Sequence, residues 1–184
     1  AHTGVSCHYL PLAYDDAVFA PATEQAAKQY QVVMVGERFP LRAACLAALD
    51  GVVADVWGGD FRDVPNCRCH PPVPPAAANR IYQQAVLCFN AHHPQSVWDS
   101  NARVFEVAGA GGCLLTDAKQ ALTGQFRIGE EVLTYSSPAE FADKARFLLA
   151  HPEVAAAIGA RAAQRARREH TYAARIRRLL ADCG

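Results

Sequence analysis

The chain has 184 residues, 51% hydrophobic and 20% charged, enough for one ordinary-to-large domain with a substantial core. Eighteen basic and eighteen acidic side chains cancel, so no overall field selects nucleic acid or an anionic membrane. No apolar run nears the ~20 residues that cross a bilayer, and the start Ala1-His2-Thr3-Gly4 lacks signal-peptide design; the expectation is a soluble, cytoplasmic protein.

Residues 1–30 read as a loop-rich entry segment, with prolines in Tyr9-Leu10-Pro11-Leu12 and Phe19-Ala20-Pro21. Val32-Val33-Met34-Val35-Gly36 is then a continuous apolar run closed by glycine, as expected of a buried parallel strand. Helical character over 41–49 leads to a second strand at 52–57, stopped by Gly58-Gly59. A third strand falls at 67–70, before Pro71-Pro72-Val73-Pro74-Pro75. A helix over 76–84 precedes a fourth strand at 86–90, and a helix over 102–110 ends where Gly111-Gly112 terminates it. Strands at 113–116 and 132–135 complete the set. The tail, 137–184, is helical in three pieces: 138–150, 152–169 and 172–182. Ser-Pro and His-Pro open the first two.

Strands and helices alternating at these lengths specify an α/β fold, a single doubly wound, Rossmann-like parallel sheet of about six strands with a helical C-terminal tail. Function does not follow from that class, which hosts many activities.

Most of the seven cysteines stand where a small apolar residue would serve, as Cys45, Cys88 and Cys113 do. That usage implies a reducing compartment without a disulfide framework. Cys67-Arg68-Cys69-His70, with Cys7 and His8 upstream, lacks the second ligand pair of a zinc site, and no metal is expected.

Ligands of an open α/β sheet collect beyond the carboxyl ends of its strands. The polar, aromatic loop from Asn90 through His92-His93-Pro94 and Trp98 to Arg103 is the most heavily equipped of those loops. It feeds a helix start whose free N–H groups and dipole suit a phosphate. Glu106, one turn into that helix, is positioned to accept both hydroxyls of a ribose; a solvated glutamate favoured by the dipole fits the same position. Gly109-Ala110-Gly111-Gly112 is no dinucleotide fingerprint, because it follows a helix and precedes a strand.

Asn101-Ala102-Arg103-Val104-Phe105-Glu106, followed by Gly111-Gly112-Cys113-Leu114-Leu115-Thr116-Asp117, carries a family resemblance. So do Phe126-Arg127-Ile128-Gly129-Glu130-Glu131-Val132, His151-Pro152-Glu153, Glu169-His170-Thr171-Tyr172, Arg80-Ile81-Tyr82 and Asn90-Ala91-His92-His93-Pro94. On these motifs the chain resembles the CgeB-type spore-maturation proteins and related glycosyltransferases, over nearly its whole length. The resemblance implies the C-terminal half of a GT-B fold, a domain that holds the nucleotide-sugar donor. The acceptor-binding N-terminal domain would be missing, leaving an isolated domain that binds nucleotide and turns over poorly as a hexosyltransferase.

The same resemblance implies roles for individual residues. Glu106 matches the second of two glutamates spaced eight apart and would bind ribose; the first falls at Trp98, which is not acidic. Arg42, following Gly36, would neutralise a UDP- or GDP-type diphosphate, with Asn101, Ala102 and Arg103 offering backbone amides and His92 in the same rim. Arg42 and the helix amides would take the place of a metal, so no cofactor beyond the donor is expected.

Two other readings stay open. One is a non-catalytic nucleotide-binding or protein-interaction module, which Trp98 favours. The other uses the arginines of the last helices (Arg161, Arg165, Arg167, Arg168, Arg175, Arg177 and Arg178) against an anionic surface or nucleic acid, although Ala-rich helices with arginines on their wet face account for them. Ile176, Leu179 and Leu180 are expected to be partly exposed on the last helix, offering a homodimer contact.

Overall fold

The computed structural model describes residues 8–23 and 26–183; Cys7 and the first residues lie outside them. Six parallel strands, β1 (Tyr30–Val35), β2 (Ala54–Trp57), β3 (Cys67–His70), β4 (Ala85–Asn90), β5 (Leu114–Asp117) and β6 (Leu133–Tyr135), form one sheet in the order β3-β2-β1-β4-β5-β6. The helices are α1 (Pro40–Ala47), α2 (Pro75–Gln84), α3 (Ala102–Gly109), α4 (Leu122–Gln125), α5 (Pro138–Ala150), α6 (Pro152–Glu169) and α7 (Tyr172–Cys183). This is the doubly wound order, and its direction reverses between β1 and β4.

Alternation along the strands builds a core on each face. Val32 and Met34 of β1 face the cluster that holds Cys45, Leu46 and Phe141, whereas Val33 and Val35 face the one that holds Tyr82, Val104 and Phe105. Cys45, Cys88 and Cys113 are free and buried, used as small hydrophobes. No cluster of metal-ligating groups occurs among the described residues, and no helix there is long and apolar enough to cross a membrane.

The expected elements are all present, with shifted ends. β1 begins at Tyr30, two residues early. β2 begins at Ala54 rather than 52, because the Gln31 side chain takes the Val53 N–H at 2.9 Å. β5 runs on to Asp117. The four-residue α4 carries no periodicity that a sequence window detects; burial of Leu122 and Gln125 holds it. Helix α3 stops as its glycines require: the Gly112 N–H bonds Val107 O and the Gly111 N–H bonds Ala108 O, with Gly111 at φ +77°. A Cβ on Gly159 of α6 would meet Gly111 O at 2.3 Å, so the Gly111-Gly112 turn is a packing device.

The entry segment and the tail are joined. Tyr14 bridges Thr171, with Tyr14 N–H on His170 O (3.1 Å) and Tyr172 N–H on Tyr14 O (3.1 Å). Beyond this tie α7 leaves Tyr172, Ile176, Leu179 and Leu180 exposed, as the sequence anticipates for the last three.

Candidate functional site

The reversal between β1 and β4 places the carboxyl ends of β1, β4 and β5 around one crevice. Gly36 follows β1, and its φ of +148° and missing Cβ leave room for a neighbour: a Cβ there would stand 2.7 Å from Arg42 Nη1. Arg42, on the first turns of α1, is only 5% exposed. Its Nε and Nη2 donate to Ala91 O at 3.1 and 2.7 Å, and Nη1 donates to Glu37 O at 2.7 Å. The guanidinium also lies 4.6 Å from the centroid of the Phe39 ring, which in turn meets His93 edge-on. Burial and the nearby Arg103 charge pull its pKa down to about 10, so it stays protonated at neutral pH. Among the described residues no carboxylate pairs with it. A buried cation held by carbonyl dipoles and one aromatic face is costly, and an anion in the crevice would relieve that cost.

The β4 and β5 ends are knit by polar side chains. Asn90 and Asn101 exchange side-chain amide bonds at 3.3 and 3.2 Å, and Asn90 also donates to Thr116 Oγ1 at 3.0 Å. Asn101 is the residue that caps α3, but its amide is spent on Asn90 and gives the helix no side-chain cap. The amides of Ala102 and Arg103 consequently have no acceptor among the described residues and remain donors at the positive end of the helix.

One turn on, Glu106 is bound through Oε2 to Arg103 Nη1 at 2.6 Å, and the same nitrogen reaches the Tyr82 hydroxyl at 3.3 Å. The Glu106 side chain is 19% exposed, partly shielded and with a second oxygen to offer.

His92 is buried against Asp117, whose Oδ1 accepts from both the His92 backbone N–H (2.8 Å) and Nδ1 (2.6 Å). Lys119 reaches the other oxygen at 3.2 Å. Burial pushes the Asp117 carboxyl up, but the His92 bonds and the Lys119 charge prevail and hold it below the usual range. With Nδ1 donating to a carboxylate, the ring presents Nε2, a buried atom without a hydrogen-bond partner among the described residues. Asp117 was invisible as His92's partner in the sequence, lying 25 residues away until β4 and β5 pair.

Gly36 and Arg42 touch, and Arg103 and Glu106 are paired in α3, with Arg103's charge felt at Arg42. Asn101 and Ala102 sit at the head of the same helix, and His92 follows the end of β4. Trp98 stands in the loop between, 42% exposed and edge-on to Tyr9 with ring centroids 4.7 Å apart. Pro94 shapes the tight turn expected of it, with Ser96 N–H on His93 O at 2.8 Å.

No curated protein sequence matches the chain. Solved structures do. Sucrose-phosphate synthase from Thermosynechococcus elongatus superposes with a TM-score of 0.74 at 14% identity, over 95% of this chain and 53% of its own. Anabaena HepE in complex with UDP and glucose does so at 0.71 and 12%, over 93% of this chain and 55% of its own. The C-terminal domain of the glycosyl transferase group 1 family protein LpcC from Francisella tularensis is covered completely, with a TM-score of 0.66 at 13% identity over 87% of this chain. The chain thus spans about half the length of the first two structures and all of the isolated C-terminal domain, and its fold is that of the C-terminal half of GT-B proteins. The sequence profile of the glycosyl transferase-like family matches residues 22–181, and the chain belongs to that family.

Proposed function

We propose that this chain is the donor-binding domain of a GT-B glycosyltransferase and holds a nucleoside-diphosphate sugar, of UDP or GDP type, in the β1/β4 crevice. The observation that carries the reading is the buried guanidinium of Arg42, without a carboxylate partner among the described residues, at the same strand ends where the Ala102 and Arg103 amides are unspent. Glycosyl transfer breaks the bond between anomeric carbon and phosphate, so negative charge grows on the leaving diphosphate. Fixed donors aimed at that charge lower the barrier without reorganising. Arg42 and the α3 amides supply such donors, and Gly36, without a Cβ, leaves room for the guanidinium. Glu106 takes the ribose hydroxyls while Arg103 keeps its carboxylate oriented. HepE, a neighbour by fold, has been seen with UDP and with UDP-glucose. The acceptor and any base acting on it would belong to an N-terminal domain, and the chain alone is expected to bind nucleotide and transfer sugar poorly.

A second reading rests on Trp98, which leaves the donor sugar without the expected acidic contact: a module that binds nucleotide and performs no transfer. Calorimetry and thermal shift with UDP, GDP, ADP and CDP, without added metal, test the donor site. A diphosphate at a hundred times its Kd stabilises by ~2.7 kcal/mol, a shift of roughly 5 to 11 °C. Glu106→Ala should weaken the nucleotide about ten-fold while leaving inorganic pyrophosphate unaffected. A folded chain that ignores all four nucleotides sinks the donor-site reading. Nucleotide binding without sugar transfer by a protein that includes the N-terminal domain selects the second one.

A further inference from the structure

A separate cavity of about 760 Å³ opens between α4, the loop around Trp98 and the tail, lined in part by Trp98, Gln125, Arg168, Arg177 and Arg178. None of Gly36, Arg42, His92 or Glu106 lines it. Its chemistry is unlike that of the crevice. Gln125 is 3% exposed, and its Nε2 donates to Tyr9 Oη (3.2 Å) and Asp99 Oδ1 (3.4 Å). Its Oε1 is buried with no donor to accept from among the described residues, an uncommon and costly state for a side-chain carbonyl. The atom has no accessible surface as it stands, so a turn of the amide toward the cavity would let a hydrogen-bond donor there relieve it.

The rim is cationic. Arg177 has no carboxylate partner among the described residues, and only its Nε is bonded, to Ala173 O. Arg178 reaches Asp182 only at 3.7 Å. Arg168 is balanced by Glu169, and Arg175 is consumed by carbonyls at the base. Ala174, Arg177 and Arg178 share one face of α7 because they are three and four residues apart. Opposite the arginines stand Trp98 and Tyr9, both about two-fifths exposed.

We propose that this cavity binds an anionic saccharide. The acidic group lies between Arg177 and Arg178, the apolar face of the sugar ring covers Trp98, and a hydroxyl donates to the Gln125 carbonyl once the amide turns toward it. Phosphorylated and carboxylated sugars share this chemistry. The proposal rests on none of Arg42, Glu106 or the α3 amides; it shares the Trp98 position with the donor reading, and the arginine double variant below separates the two, with no nucleotide in the test.

The test follows Trp98 fluorescence of the whole chain during titration with glucose 6-phosphate, glucuronate, glucose and inorganic phosphate. Trp57, the other tryptophan, is buried and serves as background. The expected result is saturable binding of at least one acidic sugar, roughly ten-fold tighter than glucose or phosphate alone. The tighter of the two acidic sugars identifies the acidic group. Arg177→Gln/Arg178→Gln, two changes on an exposed helix face, should remove that preference with the melting temperature unchanged. Absence of binding by both acidic sugars overturns the proposal. So does equal binding of phosphate and glucose 6-phosphate together with no response to glucuronate, or an undiminished preference in the double variant.

Discussion

Two arginines of this molecule are buried in the same manner and do different work. Arg42 and Arg175 are 5% and 7% exposed, both give their N–H groups to backbone carbonyls, and both have their pKa lowered chiefly by burial. Arg175 bonds Pro11 O, Leu12 O, Glu169 O and His170 Nδ1, so it ties the entry segment to the tail across 164 positions. It also lies 5.7 Å from the centroid of the Phe105 ring. Arg42 ties α1 to the end of β4, but it does so at the switch point, where it feels the charge of a second guanidinium, Arg103. A buried arginine is therefore not in itself evidence of a ligand. Its neighbours decide: carbonyls and an imidazole bind Arg175, whereas Arg42 feels a second positive charge, that of Arg103, at the strand ends.

The comparison breaks most visibly at Arg175. Arg175→Ala leaves three carbonyls inside the tie without their donor and should cost about 3–4 kcal/mol, a fall in Tm of roughly 6–16 °C. Nucleotide affinity of the folded fraction should not change. A melting temperature within a degree or two of the parent would mean that the tie is dispensable and that the arginines differ less than their surroundings suggest.

Acid probes the same tie. His170, 4% exposed, donates from Nε2 to Gln125 O at 2.7 Å and accepts from Arg175 at Nδ1 at 2.8 Å, so both nitrogens are satisfied while the ring is neutral. Burial first, and then the Arg175 charge, lower its pKa from 6.5 to about 4. The unfolded chain therefore takes up a proton below pH 6.5 that the folded chain refuses until about pH 4. Stability should fall as the pH drops through that window, by roughly 3 kcal/mol in all. Denaturant melts at pH 7.5, 5.5 and 4.5 read this directly, and His170→Asn should flatten the slope. An unchanged slope in that variant would assign the acid sensitivity elsewhere.

Arg42→Gln reverses the Arg175 pattern. Binding of the preferred diphosphate should weaken roughly 10- to 100-fold, the worth of hydrogen bonds to a charged group. The melting temperature should fall less than in Arg175→Ala, since Arg42 bonds two carbonyls rather than three and glutamine keeps an amide donor for one of them. Calorimetry on both variants separates the two arginines: one loses the ligand and keeps its fold, the other does the opposite.

The sequence was legible where the physics is local. Continuous apolar strands, Ser-Pro and His-Pro helix starts and the Gly111-Gly112 stop are short-range signals, and β3, α5 and α6 match their expected limits. The strand-end rim was legible as a region, because Glu106 and the α3 amides are close in sequence. The contacts that define its chemistry join distant positions: Arg42 to Ala91 across 49 residues and His92 to Asp117 across 25. The Gln125 cavity was not legible at all, since its walls come from the entry loop, the Trp98 loop, α4 and two tail helices. Nor does sequence distinguish Arg175 from the six other arginines of α6 and α7; only the tie to residues 11 and 12 does.

The smallest effect calibrates the others. Ser137 caps α5 by accepting the Glu140 N–H at 3.2 Å, while Glu140 reaches back to the Ser136 N–H at 2.8 Å and to its hydroxyl. This network is exposed, so water competes for every bond in it. Ser137→Ala should cost about 1 kcal/mol, or roughly 2–4 °C, without affecting nucleotide or acidic sugar. It marks the scale of one local, solvent-accessible helix cap. If Arg175→Ala proved no more damaging than this, the buried tie would be worth only a surface cap, and the contrast between the two arginines would rest on ligand binding alone.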